Sequence, residues 1–485
     1  MDVRQRIVHF ALLFAIAGLA GCTVGPNYKR PAVDVPLAYR AVPAGTPAAD
    51  HPPAGQSVPQ STATAPTPVK SFGDEKWWDV FQDHELQSLI RAALKNNYDV
   101  RIAATRVLQA QAQLGITRAD QLPTISGGAS AVNEHNPRTK VFPEYETSAN
   151  QVDVSLAWEL DFWGKYRRAT ESARASLLAT QWAREAIVNT LVSDVATAYF
   201  QLRSLDLQLE ISRQTLASRQ DSLQLTQTLA NGGATAMLDV RQAEQLVFTA
   251  AETIPDLERQ IEQQENFLST LLGNNPGPIA RGMTLTEQPH VPEIPAGLPS
   301  SLLERRPDIR EAEAQLMAAN AQIGVAKAAY FPQINLTASA GYQSSALTSL
   351  FTGPAGLWSF GGSLVQPIFT GGRIRSNVRF TEARQQEALL TYRQTIQQAF
   401  RGVSDSLVEY RKDREFREYQ QQLALSAQDA AQLSEMRYRG GAASYLEVLT
   451  NETNYFDAQL GLAQAQLNEL AGLVRIYRNL GGGWQ

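Results

Sequence analysis

The sequence predicts a mainly α-helical chain duplicated in tandem, in which each copy carries two strands of membrane-crossing length and a long antiparallel helical hairpin. Three observations predict it. The chain repeats itself at a nearly constant offset: Ala112, Gln113, Leu114, Gly115 and Leu122, Pro123 match Ala321, Gln322, Ile323, Gly324 and Phe331, Pro332 at 209; Phe162 and Gly164 match Phe369 and Gly371 at 207; Gly232, Gly233, Ala234 match Gly440, Gly441, Ala442 at 208. Landmarks in register across more than 100 residues mark a duplication of a unit of about 208 residues. Each copy also holds a run of roughly 65 residues without proline that ends at Gly-Gly, and a ten-residue run of strict apolar/polar alternation.

In chain order, Arg4 and Arg6 precede an apolar run from Ile7 to Ala20 that ends in Leu19, Ala20, Gly21, Cys22, the pattern of a secretory signal and too short for a transmembrane helix. Leu-Ala-Gly-Cys resembles the bacterial lipobox. The resemblance implies a signal peptide over 1–21, a diacylglycerol and N-acyl lipid on Cys22, and, with Thr23 rather than Asp following, an outer-membrane address. Cys22 is the one cysteine in 485 residues, so no intramolecular disulfide or cysteine-based metal cluster is expected, and five scattered His leave little for a metal centre. With 43 Lys+Arg against 48 Asp+Glu, the net charge of −5 argues against nucleic acid as a partner. Residues 22–70, rich in Pro, Ala, Ser and Thr beyond Ala41, read as a lipid anchor and extended linker.

Copy one (71–273) and copy two (300–485), joined by 274–299, each read as helix, strand, strand, long helix, hairpin tip, helix. The first helix is expected over Asp83–Ala119 and Ser300–Ala329, stopped by the Leu122-Pro123 and Phe331-Pro332 pairs. Val152, Val154, Leu156, Trp158 and Leu160 then alternate with Gln151, Asp153, Ser155, Ala157 and Glu159, and Ile334 to Tyr342 alternate in the same way. About 9–11 residues is what a tilted strand needs to cross a bilayer. Tyr330, Phe331, Trp358, Phe360, Phe162, Trp163 and Phe369 near the strand ends suit an aromatic girdle, and the segments Asn133–Ala149 and Gln343–Gly356 read as cell-surface loops. A soluble half-buried sheet gives the same alternation.

Lys165 to Ala230 lacks proline and glycine, enough for a helix of about 100 Å. Within it Val188, Leu191, Val195, Ala198, Leu202, Leu205 and Leu209 alternate spacings of 3 and 4, a coiled-coil seam. Ile374 to Arg439 is the equivalent, interrupted only by Gly402. The glycines at 232–233 and 440–441 supply the reversal into a returning helix.

Cys22, the junctions Leu160-Asp161-Phe162-Trp163-Gly164 and Gln366-Pro367-Ile368-Phe369-Thr370-Gly371-Gly372, the stretch Arg305-Arg306-Pro307-Asp308-Ile309-Arg310, and the tip Tyr438-Arg439-Gly440-Gly441-Ala442 with Tyr445-Leu446-Glu447-Val448-Leu449 resemble the NodT-like lipoprotein branch of TolC-like outer-membrane efflux factors. The resemblance implies a homotrimer in which four strands per chain build one 12-stranded β-barrel continuous with a long periplasmic α-helical barrel. It implies a passive exit duct that docks to a periplasmic adaptor and an inner-membrane pump of the resistance-nodulation-division type, carrying drugs or other small molecules. It makes the tips the periplasmic gate and adaptor contact: Gly440, Gly441, Ala442, Ser444, Tyr445, Leu446, Glu447 and Arg439 in copy two, and Asn231, Gly232, Gly233, Ala234, Leu238 and Asp239 in copy one. Some relatives place an Asp ring near the position of Ala443 or Ser444, which this sequence lacks. Independently of the family, four strands cannot close a barrel, for which about eight are needed, so the chain must oligomerise if it forms one.

An expected partner for the tip acids Asp239 and Glu447 is an arginine among Arg241, Arg437 and Arg439, and contacts of Tyr445, Asp239 and Glu447 to a neighbouring hairpin would hold the tip closed. Solvated helix-start acids are the plainer reading. No cofactor and no enzyme activity are expected, since acids, His and nucleophiles do not converge. A periplasmic coiled-coil adaptor or scaffold lipoprotein is the alternative; it would carry one hairpin, where this chain has two, each preceded by membrane-length strands.

Overall fold

A computed structural model of the chain describes residues 23–36, 39, 71–141, 143–289, 294–295, 297 and 299–482. Cys22, the signal segment and most of the linker lie outside the described residues.

After a short turn at Phe72–Asp74 and one at Trp77–Val80, the elements run α1 (His84–Asn96), α2 (Tyr98–Ala119), β1 (Thr124–Asn136), β2 (Tyr145–Glu159), α3 (Lys165–Asn231) and α4 (Met237–Leu271). Copy two follows with α5 (Pro299–Arg305), α6 (Pro307–Ala328), β3 (Gln333–Ser344), β4 (Gly356–Val365), α7 (Arg373–Arg439) and α8 (Tyr445–Asn479). Both long helices have 67 residues and both returning helices 35, and each pair is offset by 208, so the duplication is exact in the hairpins.

The single expected helix before each strand pair is in fact two. Asn97 interrupts the first: its Oδ1 accepts from the N–H of Asp99 (2.8 Å) and Val100 (3.2 Å), an N-cap that opens α2, and its Nδ2 donates to the Leu271 carbonyl (3.0 Å). Arg306 interrupts the second because Pro307 lacks the N–H that would continue α5 and suits the first position of α6. The strands run further than expected. Val132 pairs with Ala149 and Asn136 with Tyr145, leaving only 137–144 as the hairpin connection. Backbone ladders do not need apolar side chains, so Asn133–Asn136 and Tyr145–Ala149, read as loop, pair as strand. Similarly β3 reaches Ser344, and the connection to β4 carries two 3₁₀ turns, Leu347–Ser349 and Gly353–Ala355.

The chain divides into two compact units that cut across the two copies. The first contains the described residues of 23–32, 106–181 and 311–393. Its sheet is antiparallel in the order β1-β2-β3-β4, with β1 and β4 as edges. Cross-strand rows assign its faces. Ile125, Leu156, Ala338 and Phe360 share one row, and Val154, Ala340 and Trp358 the row two residues along, making one apolar face. The other face carries Ser126, Ser155, Ser339 and Ser359 in a single row. Trp358, Phe360 and Phe369 are exposed, as a lipid-facing belt requires, whereas Trp163 and Phe331 stack on each other at 4.7 Å and Trp163 Nε1 donates to the Pro332 carbonyl (2.8 Å). That pair therefore braces the strand-to-helix junction.

Below the sheet the N-terminal residues form a strap. Val24 N–H donates to Trp163 O (3.0 Å), and Arg168, almost fully buried, donates to the carbonyls of Val24 and Gly25 (both 3.3 Å) and to Asn27 Oδ1 (2.7 Å). Gly25, at φ +103°, lies so close to Gly324 that a Cβ would come within 2.5 Å of the Gly324 Cα.

The second unit draws on the described residues of 33–105, 182–310 and 394–482. The seam residues Leu191, Val195, Ala198, Leu202 and Leu205 are all buried in it, as expected, but so are Val192, Ala196, Tyr199 and Phe200 between them. This stretch of α3 is enclosed on more than one face, where a two-stranded seam buries only a stripe. Gly402 does not break α7. It admits the end of α8, whose Asn479 Nδ2 donates to the Gly402 carbonyl (2.9 Å).

Candidate functional site

The two hairpin tips belong to the second unit and share one backbone solution. In copy one Ala234 N–H donates to Leu229 O (2.9 Å) and Gly233 N–H to Ala230 O (3.0 Å); in copy two Ala442 N–H donates to Arg437 O (2.8 Å) and Gly441 N–H to Tyr438 O (2.9 Å). These are paired Schellman closures. Gly233 (φ +73°) and Gly441 (φ +71°) adopt the left-handed conformation the closure requires.

Side chains then differ. Asn231, Gly232, Gly233, Ala234 and Leu238 are exposed, and Thr235 Oγ1 donates to the Asp239 carboxylate across the first turn of α4. In copy two Arg439, Gly440, Gly441, Ala442, Ser444 and Leu446 are exposed. Glu447 accepts from Arg437 Nη1 (2.7 Å), which closes an ion pair over the turn, and Arg437 Nη2 reaches the Ala442 carbonyl (3.4 Å). Arg439 pairs with Glu435 and Arg241 with Glu244. Of the three expected arginines, Arg437 therefore meets Glu447, while Asp239 is held by a hydroxyl. Both acids are engaged within their own hairpins.

Tyr445 is not a surface contact. It is 1% exposed, packs with Ala243 and Val448, and meets Tyr438 edge-on at 5.2 Å, so it pins α8 to α4 of the other hairpin. Burial pushes its hydroxyl up to about 12.

One functional group of the unit escaped the sequence reading. Arg219, 2% exposed, donates from Nη1 to the Leu246 carbonyl (2.9 Å) and lies over the Phe456 ring at 5.0 Å. Its Nε and Nη2 find no hydrogen-bond partner among the described residues. Glu452 is its countercharge, and burial raises the Glu452 carboxyl to about 7, opposed by Arg219 and reinforced by Glu435. The signal was present: the seam spacing continued beyond Leu209 passes through Ser212, Leu216, Arg219, Leu223 and Thr226, and Ser212, Arg219 and Thr226 are all buried.

Two hairpins with matched tips and a sheet with one apolar and one polar face recur in known proteins. The profile of the family described as outer membrane efflux protein matches residues 89–274 and 298–482, once in each copy. The chain is an outer membrane efflux protein. Among its relatives, the solvent efflux pump outer membrane protein SrpC of Pseudomonas putida is 37% identical over 476 residues, 97% of each chain. The cation efflux system protein CusC of Escherichia coli K12 is 34% identical over 476 residues, 97% of this chain and 99% of that one. Of solved structures, the outer-membrane channel OprN superposes with a TM-score of 0.84 at 29% identity, covering 96% of this chain and all of that one. The open-state MtrE outer membrane channel of Neisseria gonorrhoeae gives 0.82 at 30%, covering 96% of this chain and 99% of that one. The efflux protein is thus a channel component of the outer membrane, and its sheet is the membrane-crossing part. No described helix is long and apolar enough to span a bilayer, and no described group of His, Cys, Asp and Glu could hold a metal ion.

Proposed function

We propose that three copies of the chain close one 12-stranded barrel and form a passive, gated exit duct, anchored by lipid on Cys22. The observation that carries this reading is the sheet itself: four strands in sequential order leave β1 and β4 as open edges, and an unpaired edge cannot remain in a bilayer. Pairing β4 of one copy with β1 of the next satisfies both; two copies would already reach the eight strands closure needs, and the resemblance to TolC-like efflux factors is what implies three. The hairpin tips are the periplasmic gate and the adaptor contact, and an inner-membrane pump supplies the energy. The exposed Leu238 and Leu446 beside the turn suit an apolar docking contact. Relatives named for solvent and cation efflux bracket the cargo.

The test is migration and conductance. Full-length protein in detergent should run as a heat-modifiable species at trimer mass and give discrete channels in planar bilayers. A species no larger than a dimer, without channels, would return the chain to the adaptor or scaffold reading.

A further inference from the structure

The polar face of the sheet carries an uneven distribution of charge. None of the four strands contains Lys or Arg. Their acids are Glu134, Glu146, Asp153 and Glu159. Glu159, at the end of β2, is matched by Lys165 Nζ at 2.9 Å, and Tyr166 donates to it as well (2.7 Å). Glu146 lies beside His135 on the other face, near the hairpin connection, and Glu134 shares that end of the sheet. Asp153 alone sits in the middle.

Its surroundings leave the carboxylate open. The row through Asp153 is Gly128, Asp153, Gly341 and Leu357, so glycine stands on both sides. A Cβ on Gly341 would lie 2.6 Å from the Asp153 Cα, and one on Gly128 would lie 3.6 Å from its Oδ1. The next row is the serine row, in which Ser126 and Ser155 hydroxyls bond at 2.9 Å and Ser339 and Ser359 at 2.8 Å. These hydroxyls satisfy one another. The one side-chain hydrogen bond to Asp153 comes from Gln151 Nε2 (3.1 Å), and no cation pairs with it among the described residues.

We infer that Asp153 sets the charge preference of the barrel interior, favouring cationic and neutral solutes over anions at the level of the serine row. The inference rests on the proposed trimeric barrel, which turns the polar face inward and repeats Asp153 three times around one level. Magnitudes allow this. Twelve strands about 4.8 Å apart and tilted about 40° enclose a backbone radius of roughly 12 Å. The Debye length is about 30 Å at 0.01 M salt and about 3 Å at 1 M, so three carboxylates govern the whole cross-section at low salt and little of it at high salt.

A thiol at Ser155→Cys reads the local potential directly and does not depend on the state of the tips. Full-length protein in outer-membrane vesicles is treated with a trimethylammonium and a sulfonate methanethiosulfonate, each rate divided by that of a free thiol, with the parental chain as background. The cationic reagent should react severalfold faster at 0.01 M salt and about equally at 1 M. Adding Asp153→Asn, or Asp153→Ser if the first fails to assemble, should bring the low-salt ratio to about one, and Asp153→Glu should retain it. A ratio unchanged by both neutral variants overturns the inference. A Ser155→Cys thiol that neither reagent reaches until the protein is denatured overturns the barrel reading itself.

Discussion

Residues 237 and 445 occupy the same place in the two hairpins, first in their returning helices, yet Met237 is 58% exposed and Tyr445 only 1%. The backbone on either side is the same: equal helix lengths, the same Schellman closure, and glycines at φ +73° and +71°. Duplication preserved the path of the chain, while the side chains diverged in what they hold. Tyr445 ties the copy-two tip to α4 through Ala243, and an ion pair spans the copy-two turn; copy one has a hydroxyl-to-carboxylate contact and an uncovered methionine. The residue that ties the two hairpins together beside their tips therefore comes from copy two, and its copy-one counterpart is left uncovered.

The sharpest way to break this contrast is Tyr445→Ala. Removing a fully buried aromatic costs about 3–5 kcal/mol, whereas Met237→Ala should change stability by less than about 0.5 kcal/mol. Denaturant midpoints and limited proteolysis at the tips will measure both, and equal losses would refute the asymmetry. The second test is pH. Burial raises the Glu452 carboxyl from its ordinary 4.5 to about 7, so the folded chain binds the proton more tightly than the unfolded one. Stability from this group is complete below about pH 4.5 and is lost as pH rises through 7, a change on the order of 3 kcal/mol. Melting temperature should fall between pH 5 and 8, and Glu452→Gln should flatten that slope; a slope unchanged in the variant would remove Glu452 from the account. The third compares the turns themselves. Gly233→Ala and Gly441→Ala place a Cβ in the same left-handed conformation, with nothing within 4 Å of either, so each should cost about 1 kcal/mol. Unequal costs would mean the backbones differ in their tolerance after all. The smallest effect belongs to Arg437→Ala: both members of the pair are more than a third exposed, and such pairs contribute under about 1 kcal/mol. A larger loss in the melting curve would make the ion pair, rather than Tyr445, the fastening of copy two.

Much of the fold was legible because it rests on local rules. Proline-free runs, Gly-Gly reversals and alternation placed both hairpins and the cores of β2 and β3. The Asn97 and Arg306 breaks were not legible, because an asparagine cap and a proline start act within one turn of an otherwise continuous pattern. The strand extensions through Asn133–Asn136 were missed for a related reason, since pairing there depends on the partner strand. At the tips, the Arg437–Glu447 pair was among the expected combinations. Tyr445 is expected from sequence to meet a neighbouring hairpin, but that the contact is a buried apolar one against Ala243 is visible only with the opposing helix in place. Arg219 is not legible as buried from periodicity because beyond Leu209 the seam positions turn polar, at Ser212, Arg219 and Thr226, and a polar residue at a seam position does not reveal its burial.

The sequence by itself determined the duplication, the lengths of the two long hairpin helices, the two reversals and the division of the strands into an apolar and a polar face, since all four follow from spacing along one chain. Only the tertiary structure decided which residues of those patterns carry load: that Tyr445 is core, that Arg219 and Glu452 share a buried site, that Glu159 is neutralised while Asp153 is not. Each of these depends on residues tens or hundreds of positions apart, or on a turn geometry that brings near neighbours face to face. Burial and charge pairing are properties of such juxtapositions, and spacing along one chain does not encode them.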